Sequence, residues 1–160
     1  MINLINKITP NFLYDGIKNN KIIKKINFKK YINNKYIILF FTTYRFIQDL
    51  FEFQLLYKDF YIRNVEVICI LTDKIQFKLN NKIKFLLFYD TNKIISYKYN
   101  LLTKINKELN KTIFFIDNNK FIRHISIHNK NINYNINEIL RIIDKWQYYN
   151  KYGNIYFKKK

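Results

Sequence analysis

Four short, nearly unbroken apolar runs constrain what this chain can fold into more than any other feature. Lys35 to Thr42 (KYIILFFT), Val65 to Thr72 (VEVICILT), Ile83 to Tyr89 (IKFLLFY) and Thr112 to Asp117 (TIFFID) are strand-length and rich in β-branched and aromatic residues. Runs without polar alternation suit strands covered on both faces, and so demand a layer of other structure above and below. The longest, Tyr36 to Phe41, falls far short of the roughly 18 apolar residues that a membrane helix needs.

The segments between the runs supply those layers. Ile47 to Arg63 carries Ile47, Leu50, Phe51, Phe53, Leu55, Tyr57 and Phe60 on an irregular helical face, and its length predicts one helix. Asp90-Thr91-Asn92 predicts a cap for a helix reaching Leu102. Asn118-Asn119 predicts a tight turn, because Asn tolerates positive φ, joining Thr112–Asp117 to Phe121–His128 in a hairpin. In that second strand Ile125 and Ile127 alternate with His124, Ser126 and His128, so it has one wet face or lies near a sheet edge. Ile136, Ile139, Leu140 and Ile143 follow helical spacing, Trp146 extends the stripe, and Asn135 with Glu138 resembles a capping box. Gly153 is the last turn signal. The order predicts an α/β fold of thioredoxin-like type: a mixed central β-sheet flanked by helices, with an N-terminal extension over residues 1 to 34.

At 160 residues, 49% hydrophobic and 19% aromatic, the chain can bury a real core, and residues 1–160 read as one domain with a C-terminal tail at 150–160. One cysteine excludes a disulfide framework, a four-thiolate zinc site and a paired-cysteine redox motif. Met1 to Thr9 has no continuous apolar stretch of signal-peptide type, so a cytoplasmic protein is expected. The net charge of +18 favours polyanionic partners, nucleic acid first among them. A competing account is compositional. The chain has no Ala and only two Val, while Ile, Asn and Lys make up about half of it, as in coding from an AT-biased genome. The lysines are dispersed and no nucleic-acid-binding signature is present, so a solvated, drift-enriched surface is the preferred reading.

Six collinear stretches resemble the peroxiredoxins of the alkyl hydroperoxide reductase/thiol-specific antioxidant (AhpC/TSA) group. Thr9-Pro10-Asn11-Phe12 is similar to an opening "APxF", and Tyr36–Phe41 to the "YVVLFF" strand that leads into the active site. Val65–Asp73 resembles "CEVLGCSVD", and Phe85–Leu102 resembles "YPLISDPTRQISRAYNVL". Thr112–Ser126 is similar to "TFIIDGKGIIRHIS" and Asn137–Tyr148 to "DEALRLVQAFQY", while Gly153 stands before the position of the second active cysteine. The resemblance implies thiol-dependent reduction of hydrogen peroxide and alkyl hydroperoxides, with a thioredoxin-type reductant and no cofactor or metal. It also implies assembly as a homodimer or a ring of dimers.

That chemistry needs a cysteine thiolate at a helix N-terminus, in a "PxxxTxxC" motif beside a distant Arg, to attack the O–O bond. No cysteine stands there. Counting forward from Phe40–Phe41 puts Leu50 in the peroxidatic position. Counting back from Glu66 puts Phe46 there, with Thr43 as the motif Thr and Leu39 in place of its Pro. The counts differ by four residues, and the second, which implies a trimmed active-site loop, is preferred because it keeps Asp49, Leu50, Tyr57 and Phe60 on matching helix positions. Lys111 replaces the Arg and lacks its planar fork, and Tyr156 holds the resolving position. A catalytically degenerate family member is therefore expected. Its alternatives are an oligomeric chaperone-like or structural protein, or a cationic protein binding nucleic acid or a membrane surface.

The remaining candidates have ordinary readings. Cys69 lies inside an apolar strand and is expected to be buried and inert. His124 and His128 are roughly 13 Å apart by strand rise, too far for one metal. Arg45 reads as solvated or ion-paired rather than as an anion ligand, and Glu66 needs a partner that the sequence does not identify. Trp146 with Tyr148–Tyr149 is expected to pack the closing helix or a subunit contact. A cavity is expected where the Ile47–Arg63 helix begins, closed by Phe46 or narrowed by Tyr44.

Overall fold

A computed structural model of the chain describes residues 3–73, 83–102 and 109–153. Three of the apolar runs form the parallel centre of a seven-stranded sheet: β3 (Tyr36–Thr42), β4 (Val65–Leu71) and β5 (Leu86–Tyr89). The fourth run becomes β6 (Lys111–Ile116), antiparallel to β3, and β7 (Ile122–His128) closes the hairpin as an edge strand. At the other edge an N-terminal hairpin of β1 (Leu13–Lys18) and β2 (Lys21–Asn27) pairs antiparallel with β5, giving the order β2-β1-β5-β4-β3-β6-β7.

Both faces of the centre are covered, as unbroken apolar runs require. One face packs Leu39, Phe41, Ile68 and Ile70 against Phe12, Phe28, Ile32 and the region of α4 (Ile94–Lys98). The other packs Phe40, Val67 and Cys69 against α2 (Gln48–Leu55), α3 (Tyr57–Tyr61) and α5 (Ile136–Tyr152). The expected mixed sheet between helices is what forms.

The N-terminal hairpin is more than an appendage. Asn19 and Asn20, both at positive φ (51° and 60°), make the tight turn, a signal present in the sequence as paired Asn between two strand-like runs. Gly16 lets this hairpin lie close to the sheet, since a Cβ there would stand 2.8 Å from Leu86 Cδ1 and 2.9 Å from Ile26 Cδ1. The four-residue α1 (Phe28–Tyr31), capped by the Asn27 side chain, delivers Phe28 to stack on Phe12 at 4.4 Å between ring centroids.

Four expectations need correction. The single helix over 47–63 is instead two, α2 and α3, with a break at Leu56 and a 3-10 turn (Tyr44–Phe46) before them. The irregular apolar face is the reason: Leu55 is 82% exposed, and restarting the helix brings Phe60 round to stack near Phe53, 5.8 Å away. The helix expected to reach Leu102 stops at Lys98, because Tyr99 turns into the core against Phe41 and Phe114 and Asn100 turns left-handed. Its cap is Asp90, whose carboxylate accepts from the Ile95 and Ser96 backbone N–H groups. In the β6–β7 turn Lys120, not an asparagine, has positive φ, and Asp117 Oδ1 accepts from the Asn119 and Phe121 N–H groups. Finally, the polar side of β7 is not simply wet. His124, Ser126 and His128 line a small cleft under α5 with Asn135 and Glu138, while Ile127 is exposed. Asn135 does cap α5, accepting from the Glu138 N–H, and Gly153 ends it at φ 71°.

If the hairpin and α1 are integral to the core, Phe28→Ala is expected to cost about 3–5 kcal/mol in urea unfolding, as for a buried aromatic. A change under about 0.5 kcal/mol would mean residues 1–34 are only attached to the fold.

Candidate functional site

The site lies where β3 gives way to α2. Thr42 ends the strand, Thr43 stands extended before the 3-10 turn, and α2 follows with Asp49 in its first turn. Asp49 is an acid on the buried side of a helix, and it is held by two donors. The Thr42 hydroxyl donates to Oδ2 at 2.8 Å, and Lys111 Nζ donates to Oδ1 at 3.0 Å from the first residue of β6. Both ionic side chains are only 2% exposed. Such a pair is tolerable only when geometry and hydrogen bonds compensate the lost hydration.

Aromatic faces complete the enclosure. Lys111 Nζ sits 4.4 Å from the centroid of Phe46 and 5.4 Å from that of Tyr134. The Tyr134 hydroxyl donates to the Phe41 carbonyl at 3.0 Å, and burial together with Asp49 holds its pKa well above the usual phenol range. Desolvated cation–π contacts of this kind contribute roughly 2 kcal/mol each. The ammonium is thus boxed by one carboxylate and two rings. The Thr43 hydroxyl is buried nearby with no hydrogen-bond partner among the described residues.

The two candidate positions differ sharply. Phe46 is half-buried at the end of the 3-10 turn, over Lys111, whereas Leu50 is fully buried in the core between sheet and helix. Arg45 is exposed and does not converge with Lys111, which is engaged by Asp49. Tyr156 and the terminal lysines lie outside the described residues. The sequence alone could not reveal Tyr134, a loop residue, as part of the site. Asp49 carried a faint signal as an acid next to a core leucine.

Cys69 sits in β4 between Phe40 of β3 and Leu87 of β5, and burial, with Asp49 adding to it, pushes its thiol well above the ordinary cysteine range. It is a neutral core residue. Glu66 finds three donors: Lys18 at 2.6 Å, Tyr31 at 2.7 Å and Lys35 at 3.3 Å. Burial works to raise its carboxyl, and the hydrogen bonds from Lys18 and Tyr31 outweigh it and hold the pKa below the usual range. His128 Nε2 lies 2.7 Å from the Ser126 hydroxyl. No group of three His, Cys, Asp or Glu among the described residues could hold a metal. Trp146 packs against the core beside Arg123, but Tyr148 and Tyr149 are exposed, which leaves the subunit-contact option for them. No helix among the described residues is long and apolar enough to cross a membrane.

Comparison with known proteins places these residues in context. Residues 5–125 match the profile of the AhpC/TSA family. The chain is 31% identical to the alkyl hydroperoxide reductase C of Buchnera aphidicola subsp. Schizaphis graminum, over 95% of this chain and 85% of that one. It is 25% identical to the protein of the same name from Helicobacter pylori, over 95% and 84%. Among solved structures, the mitochondrial 2-Cys peroxiredoxin from Plasmodium falciparum superposes with a TM-score of 0.83 at 29% identity, covering 95% of this chain and 99% of that one.

Two outcomes test the site as a physical unit. Lys111→Met strands Asp49 and is expected to cost about 3–5 kcal/mol in chemical denaturation, while the double variant Asp49→Leu/Lys111→Met recovers much of that loss. A double-variant cost equal to the sum of the Lys111→Met and Asp49→Leu costs would show that the pair is not coupled. The second outcome concerns His124, whose pKa burial lowers against the opposing pull of Glu138. A lowered folded-state value makes protonation favour the unfolded chain, so stability is full above pH 6.5 and falls as pH drops through the folded pKa. In His124→Gln that part of the pH dependence should disappear from the thermal midpoints.

Proposed function

The chain belongs to the AhpC/TSA family of peroxiredoxins, and from that premise we propose that it keeps the family scaffold without the peroxidase reaction. The observation that carries this reading is the enclosed Lys111–Asp49 pair beneath Phe46. Peroxide reduction needs a thiolate at the mouth of α2, stabilised by a neighbouring cation. At that mouth the cation is already neutralised by a carboxylate, and its open side is covered by a hydrocarbon ring. The only cysteine, Cys69, lies in the β4 strand with its thiol held neutral. Phe46 is the better candidate for the peroxidatic position, because its ring overlies Lys111 while Leu50 points into the core. On this reading Thr43, with its orphaned hydroxyl, stands for the motif threonine, Lys111 for the pocket arginine, and Tyr156 for the resolver.

What the scaffold retains is assembly. We take residues 1–160 as one domain, and the chain as a homodimer or a ring of dimers joined through the β7 edge. Three features support this. Beyond Ile122, whose backbone pairs with Asn6 and Lys7, the outer edge of β7 meets no further strand among the described residues, Ile127 is exposed on it, and Tyr148 and Tyr149 stand exposed on the neighbouring α5. A cytoplasmic setting accords with a lone reduced cysteine. No thioredoxin-type reductant is engaged when no sulfenate forms.

A coupled peroxidase assay with a dithiol reductant tests the loss of chemistry. No turnover above background is expected, for the wild type or for Cys69→Ser; turnover by the wild type would overturn the reading. Phe46→Cys is expected to create a thiol that alkylates faster than that of Leu50→Cys, since position 46 is only half-buried while position 50 is enclosed in the core. The reverse order would favour the alternative count. Native mass measurement is expected to give a multiple of 19.9 kDa.

A further inference from the structure

We propose that the β1–β2 hairpin, continued into α1, is a docking surface for an anionic lipid membrane. This inference lies apart from the altered active site and does not depend on it.

The surface combines a lysine-rich segment with exposed aliphatic groups. Residues 11–35 contain seven lysines, a single acid (Asp15) and no arginine. Lys18 and Lys35 are both engaged by the single Glu66 carboxylate, and the other five are Lys21, Lys24, Lys25, Lys29 and Lys30. All but the half-buried Lys29 are exposed. Asp15 accepts from Lys24 Nζ and from the Lys25 backbone N–H, each at 2.8 Å, and Lys25 sits at positive φ where the β1–β2 register shifts. The acid therefore offsets Lys24 as well as fixing the shape of the bulge, and Lys21, Lys25, Lys29 and Lys30 keep no acid partner among the described residues.

Lysine on an edge strand has a defensive use, since it discourages other strands from pairing there. That use calls for lysine alone. Here Ile22 and Ile23 lie between Lys21 and Lys24 and are 64% and 40% exposed, on a strand that ends the sheet among the described residues. Exposed aliphatic groups flanked by cations along one edge strand match a surface whose outer layer is anionic and whose next layer is hydrocarbon. Nucleic acid is a poorer match. Its phosphates and bases are usually gripped by bidentate arginines and stacking aromatics, and the exposed face of β2 has neither.

The test is co-sedimentation of the full-length protein with vesicles of equal parts phosphatidylcholine and phosphatidylglycerol. Pure phosphatidylcholine vesicles, a mixed-sequence single-stranded RNA and a DNA duplex run beside them. Binding to the anionic vesicles alone is expected, weakening as salt rises. Each lysine at such a surface strengthens binding roughly fivefold, so Lys21→Gln/Lys24→Gln/Lys25→Gln should weaken it roughly a hundredfold. Lys58→Gln/Lys145→Gln/Lys151→Gln, which removes the same charge elsewhere, should change it little. Ile22→Ser/Ile23→Ser should weaken binding at constant charge. All of these side chains are exposed, and circular dichroism checks that each variant is folded. The proposal is overturned by absence of vesicle binding, by equal loss in both lysine triples, or by indifference to the isoleucine pair. Tighter binding to RNA or DNA through the same lysines would overturn it too.

Discussion

The burial of the central strands on both faces is the constraint from which the rest of the fold follows. Neither β3 nor β4 has a polar face to offer to water, so each side of the sheet must be roofed. The helices after β3 and at the C-terminal end roof one side. On the other side the N-terminal segment supplies Phe12, Phe28 and Ile32, and α4 with Tyr99 completes the cover. Because α2 must lie flat on the sheet to bury Leu50 and Phe53, its first turn is drawn to the ends of β3 and β6. The position of the site is a consequence of that packing.

The same packing explains how a polar site persists without its nucleophile. A lysine at the start of β6 and an aspartate in the first turn of α2 meet in a place that water scarcely reaches. Removing either alone would leave a buried charge, which is costly, so the pair is held by the penalty of separating it. Phe46 and Tyr134 then stabilise the ammonium with ring faces. On the reading proposed above, an arrangement suited to supporting an anion is a closed structural element because Phe46 stands in the anion's place.

Much of this was legible in the chain before any coordinates. The apolar runs located four strands, and Asn135 located the start of α5. The collinear resemblance pointed to the family, and the absence of cysteine at the mouth of α2 is a fact of the sequence. Other features were misread or invisible. The split at Leu56 escaped because an irregular apolar face fits a continuous helix until Phe60 has to reach Phe53. The polar stripe of β7 reads as solvent-facing until α5 is seen to cover it. The Asn19-Asn20 turn was available as a signal and marks a hairpin that belongs to the sheet.

The amino-acid order determined the elements that short-range physics controls: strand runs, helix caps, tight turns, and the identity of the residue at each position where chemistry would need a thiol. Tertiary structure alone decided the partners of the buried polar groups. Lys111 and Asp49 are 62 residues apart, and Glu66 gathers Lys18, Tyr31 and Lys35 from three separate segments. Periodicity and propensity act over a few residues, whereas desolvation acts on whatever the folded chain encloses. Which charges are enclosed together is therefore settled only when the layers close.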